Sequence, residues 1–103
     1  MIRDASDAHA DEDWPFDQAE GVAAITVRAV LEGAPILHVS HDEDDHGWQF
    51  LDGRPVDTDE ARVIAMAEAV AIDPSLRDVA DLPPGWIAWR AAPGRSWQRG
   101  RRG

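Results

Sequence analysis

Two short apolar segments flank one acidic run, and that arrangement constrains the fold more than any other feature of the chain. In PILHVSH, residues 35–41, Leu37, Val39 and His41 alternate with Ile36, His38 and Ser40; in GWQFLDG, residues 47–53, Trp48 and Phe50 alternate with Gln49 and Leu51. Successive side chains of a strand point to opposite faces, so each segment reads as a strand. Between them Asp42-Glu43-Asp44-Asp45-His46 offers nothing to bury. The pattern predicts an antiparallel hairpin with a long acidic loop, and hence a sheet.

The other segments complete an α+β chain. AEGVAAITVRAVLEG is ambiguous, because Val27, Val30 and Leu31 fit a helical face while Ile25, Val27 and Ala29 fit a strand. The reading taken is a strand over roughly 22–28, then a short turn of helix that stops at Gly33. After the loop RPVDTDE, with its capping residues Asp57 and Thr58, ARVIAMAEAVAID predicts a strand at about 62–66 and a helix at about 67–73. Asp73-Pro74-Ser75-Leu76 marks a helix break and restart, since Asp73 can cap and proline suits a first turn. Pro83-Pro84-Gly85 ends that element and WIAWR reads as a last strand. The expected fold is α+β, an antiparallel sheet of about four strands with one or two helices packed on one face. Residues 1–16 read as a flexible acidic N-terminal arm with an aromatic anchor, Trp14 and Phe16, at its end, 17–92 as a single domain and 93–103 as an irregular basic tail.

Composition narrows the function classes. A chain of 103 residues with 44% hydrophobic residues can enclose one modest core. Its net charge of −10 repels phosphate backbones and anionic lipid, so neither nucleic acid nor a membrane is an expected partner, whereas a cationic protein is. Without cysteine there is no disulfide, thiolate metal site or cysteine nucleophile. Without lysine there is no Schiff base and no phosphate-binding Gly-Lys loop. Met1 to Asp13 is acidic rather than basic-then-apolar, and no run is long enough to span a bilayer; the expected compartment is the cytoplasm.

The hydroxyls Ser6, Thr26, Ser40, Thr58, Ser75 and Ser96 lie in no nucleophile motif, and paired carboxylates are inevitable among 20 acids, so neither singles out a catalytic group. The alternative to a binding protein is a small metal-dependent enzyme or metal-binding protein in which His41, Asp45 and His46 converge on a metal in the hairpin loop, although His38 and His41, three apart, point to opposite strand faces. Asp42-x-Asp44-x-His46-Gly47 echoes the start of a calcium loop, but Gly53 stands where the bidentate glutamate belongs. No cofactor is expected. Of the 5 tryptophans, Trp48, Trp86 and Trp89 fall in expected strands, where large rings would build the core, and alternation forbids Trp86 and Trp89 from sharing a face, leaving one of them exposed as a binding anchor unless a bulge intervenes. Trp14 and Trp97, near the ends, read as either packing clips or contact residues.

HDEDDHGWQFLDG, then ARVIAMAEAVAIDPSL, then LPPGWIAWR together resemble bacterial domains of unknown function related to the immunity protein 33 family. The likeness spans roughly residues 24 to 90. The family's usual Asp-Ser-Gly-Trp stands here as Asp45-His46-Gly47-Trp48, and its Pro-x-Gly as Pro83-Pro84-Gly85. The resemblance implies a compact α+β fold and, for members encoded beside polymorphic toxins, a cytosolic protein that neutralises a toxin by binding it. The resulting expectation is a non-enzymatic binding protein. Its contact surface would be an electronegative patch of Asp42, Glu43, Asp44 and Asp45 with Asp57, Asp59 and Glu60, and with Trp48 and Trp86 as aromatic anchors.

Overall fold

The computed structural model describes residues 14–102. In chain order the elements are β1 (Ala23–Val27), α1 (Arg28–Leu31), β2 (His38–His41), β3 (Trp48–Leu51), β4 (Ala61–Ala65), α2 (Met66–Ile72), β5 (Trp86–Trp89) and β6 (Gln98–Arg101), with 3₁₀ turns at Thr58–Glu60 and Pro74–Val79. The strands form one sheet in the order β4-β1-β3-β2-β5-β6. The β2–β3 hairpin forms as expected, with His41 opposite Trp48 and His38 opposite Leu51. Among the described residues only β1 against β3 is parallel, and every other pairing is antiparallel.

Register sorts the side chains onto two faces. One face carries Ala24 and Thr26 of β1, Ile64 of β4, Trp48 and Phe50 of β3, Val39 and His41 of β2, and Ala88 of β5, all buried. Against it pack Met66, Ala69 and Val70 from α2, Leu76 and Val79 from the Pro74–Val79 turn, and Phe16. Phe16 meets the rings of Trp48 and Phe50 edge-on at 5.0 and 6.4 Å, an orientation that sets ring edges against ring faces. The helices thus cover one face, as expected. Among the described residues no helix packs on the opposite face; Val63, Ile25, Ile87 and Trp89 lie on it, exposed or half-buried, while Ser40, Val27 and Leu51 on the same face are buried.

Local chemistry accounts for the breaks between elements. Asp73 Oδ1 accepts from Ser75 N at 3.0 Å and Pro74 begins the turn, so the helix stops where the cap and the imino acid demand. Glu68 reaches back to accept from Ala65 N at 2.8 Å, satisfying one orphan donor at the start of α2. Arg90, 6% exposed, is held by its own fork. Nε and Nη2 donate to Ile36 O, Nη1 donates to Ser75 Oγ, and Nη2 pairs with Asp73 Oδ2, while Trp97 lies 4.2 Å from the guanidinium carbon.

Three expectations need correction. The sheet has six strands, not about four. The additional edge strand β6 falls inside the supposed irregular tail: Gln98-Arg99-Gly100-Arg101 has no apolar alternation, and pairing with β5 holds it in place. Arg99 is tied down by Asp81 Oδ1 at 2.7 Å and Asp78 O at 2.6 Å. Finally, the ordered domain begins before residue 17, because Phe16 is a core residue and Trp14 donates its indole N–H to Gln18 O at 2.7 Å. The rest of the expected arm, residues 1–13, lies outside the described residues.

Candidate functional site

The hairpin loop is built largely from its own carboxylates. Asp42 N donates to Gly47 O at 2.8 Å, closing the loop; Asp42 Oδ1 accepts from Asp44 N and Asp45 Oδ1 from Gly47 N, each at 2.8 Å. His46 takes φ 58°, a left-handed conformation that histidine tolerates better than most residues. A Cβ on Gly47 would sit 2.9 Å from Asp45 Oδ1, so a side chain there would push that carboxylate off its bond to Gly47 N. Two of the four acids therefore shape the loop, while Glu43 and Asp44 make no hydrogen bond or ion pair through their carboxylates among the described residues.

The segment after Phe16 braces this loop. Gln18 Nε2 donates to His46 O at 3.0 Å, and Trp48 Nε1 donates to Asp17 Oδ1 at 2.8 Å. His41 is 3% exposed and stacks on Trp48 with ring centroids 4.0 Å apart. Its Nδ1 lies 2.6 Å from Leu82 O, which requires the proton on Nδ1. Nε2 lies 3.1 Å from Asp17 Oδ2 but off the line of a hydrogen bond, so that contact attracts only when the ring is protonated.

Asp42, Glu43, Asp44 and Asp45 thus sit with Asp17 and Glu20 at one end of the sheet. Beside them, on the uncovered face, is a shallow recess of about 190 Å³ lined by Ile25, Asp42, Asp45, Gln49 and Val63 among others. Unlike an isolated charge, several carboxylates on one low-dielectric rim add their potentials toward a cation.

Asp57, Asp59 and Glu60 do not join them. Strand β3 runs away from the hairpin loop, so the β3–β4 connection lies at the opposite end of the sheet, the strand length of roughly 13–17 Å away. There Asp57 Oδ1 caps Asp59 N at 3.0 Å and Glu60 pairs with Arg28 at 2.9 Å. The adjoining cleft of about 580 Å³ mixes Arg28 and Arg54 with Glu32 and Asp52. The expected single acidic patch is two separate regions: the β3–β4 end pairs its acids with Arg28 and Arg54, while at the hairpin end Arg102 is nearby without an ion pair to these carboxylates among the described residues.

The aromatic anchors are also reassigned. Trp48 is 1% exposed, a core residue whose ring no partner can reach, because the hairpin turns its face toward Phe16 and Phe50. Trp86 is partly buried against the core, while Trp89, on the other face with no bulge between them, is 40% exposed. Alternation had separated the two rings, but not which side would be left uncovered.

His41, Asp45 and His46 do not converge on a metal position. The His41 ring is spent on Leu82 O and Trp48, Asp45 on Gly47 N, and the two imidazole centroids are 6.0 Å apart. Among the described residues no three histidine or carboxylate side chains are grouped to hold an ion. His38 faces the uncovered side, and its pKa is lowered by burial first and by the Arg102 guanidinium second. No described helix is long and apolar enough to cross a membrane. No protein-family model, curated protein or solved structure matches the chain.

Proposed function

We propose that this chain is a cytoplasmic, non-enzymatic binding protein that takes a cationic protein partner, in the manner of an immunity protein on a toxin, at the hairpin end of its sheet. The observation that carries the reading is a run of carboxylates on a braced loop with no arginine partner among the described residues. Pre-positioned acids steer a basic surface and need little ordering on contact. The contact residues are Glu43 and Asp44, with Asp42 and Asp45 holding the loop that presents them. Asp57, Asp59 and Glu60 lie outside this surface.

The test is calorimetric titration of the purified protein with the toxin-like product of an adjacent gene, at low and high salt. Glu43→Gln with Asp44→Asn should weaken binding and flatten its salt dependence, and Asp57→Asn with Asp59→Asn should change neither. Equal affinity for the first pair and the parent protein would remove the proposal.

A further inference from the structure

The uncovered sheet face reads almost the same from both sides. Across its middle row, in sheet order, stand Val63, Ile25, Gln49, Ser40, Ile87 and Gly100. The midpoint falls between β3 and β2, with half-buried Gln49 beside Ser40, itself buried beneath Arg102, isoleucine on each flank, and an apolar edge at each end. At the β4 edge that apolar group is Val63, 68% exposed; at the β6 edge it is the Trp89 ring, which lies over Gly100 so closely that a Cβ there would be 3.2 Å from Cη2.

The charges are arranged with the same symmetry but opposite sign. Asp42 and Asp45 rim the recess on the β1–β3 side. On the β2–β5 side, at the same end of the sheet, Arg102 N donates to Gly85 O, and its Nη1 lies 3.5 Å from Ser40 Oγ over the uncovered face. Arg102 has no carboxylate partner among the described residues.

We infer that a second copy of this chain docks on this face, about a two-fold axis parallel to the strands and midway between β2 and β3. That operation exchanges left and right while keeping the hairpin end at the hairpin end. It sets Ile25 against Ile87, Val63 against the Trp89 ring, and Arg102 of each copy against Asp42 and Asp45 of the other. A two-fold contact must be self-complementary, and here both the apolar groups and the charges meet that condition. Stacked sheets interdigitate at a spacing of ~10 Å, within reach of these side chains. Six strands at ~4.8 Å spacing by four or five residues at ~3.4 Å give roughly 400 Å² of flat area per copy, which belongs to weak, concentration-dependent dimers. Glu43 and Asp44 do not line the recess, whereas Asp42 and Asp45 belong to both surfaces, so Glu43→Gln with Asp44→Asn tests the cationic partner and Val63→Arg tests the dimer.

Sedimentation equilibrium of the full chain over a wide concentration range tests the inference. The parent protein should show a reversible monomer–dimer equilibrium. Val63→Arg, at a position too exposed to threaten folding, should raise the dimer dissociation constant by about tenfold or more, the effect of one uncompensated interfacial charge. Asp45→Arg and Arg102→Asp should each be monomeric alone and dimerise when mixed, because the mixed pair restores both ion pairs. A parent chain that stays monomeric to millimolar concentration, or a dimer indifferent to Val63→Arg, would overturn the inference. Circular dichroism confirms that each variant is folded.

Discussion

Removing the Arg90 guanidinium should cost this domain a large part of its stability. The side chain is 2% exposed and serves Ile36 O, Ser75 Oγ and Asp73 Oδ2, so Arg90→Met leaves a buried carbonyl without its donors and Asp73 without its counter-charge. Leaving one buried acceptor unsatisfied costs about 1–3 kcal/mol, and breaking a buried ion pair by deleting one partner about 3–5 kcal/mol. Asp73 retains some solvent at 21% exposure, and methionine keeps much of the packing on Trp97, so the lower values apply and the expected loss is about 3 kcal/mol. For a chain of this size that corresponds to a fall in Tm of roughly 12–24 °C. Urea unfolding followed by tryptophan fluorescence measures it, and a double-mutant cycle with Asp73→Asn isolates the ion pair, since asparagine retains an oxygen for the Ser75 cap. A loss below about 1 kcal/mol for Arg90→Met would refute the claim that this fork ties β5 to the loop before β2 and to the turn after α2.

Four further outcomes are expected. His38 has its folded pKa below its usual 6.5, so it favours the folded state fully above that value; stability should fall as pH drops from 6.5 through the folded pKa, when the unfolded chain takes up the proton first. Arg102→Gln removes the second cause of that shift and should make the urea midpoint less sensitive to pH across this window. Thr26→Val deletes the buried hydroxyl that donates to Phe50 O at 2.6 Å and should cost about 1 kcal/mol in chemical denaturation. Gly85→Ala forces a side chain into φ 87° and places its Cβ 3.2 Å from Glu43 Oε1, so it should lower stability by about 1–2 kcal/mol, seen as a lower Tm.

Local chemistry made much of this fold readable. Alternation in PILHVSH and GWQFL specified a hairpin and put Trp48 with Phe50 on one face, and Asp73-Pro74 marked the break after α2. Strand β6 was not readable, because Gln98-Arg99-Gly100-Arg101 has no pattern of its own and owes its conformation to β5. Nor was the division of the acids between two ends of the sheet, which depends on the direction of β3 rather than on spacing along the chain. The same holds for Trp89 and Val63. Their side chains alternate predictably, but only the placement of α2 decides which face is left open.

The parallel pairing of β1 with β3 bears on the order in which the chain assembles. Strand β1 lies between β3 and β4, which are consecutive in sequence, so β4 has no neighbour in the sheet until β1 is in place. The pairs β2–β3 and β5–β6 close over short connections, whereas β1 must close a loop of about twenty residues to reach β3 and a longer one to reach β4. Native-state hydrogen exchange should therefore find the β1–β4 ladder opening as a unit at lower free energy than the β2–β3 ladder. Docking of a second sheet over Val63 and Ile25 would slow that opening first.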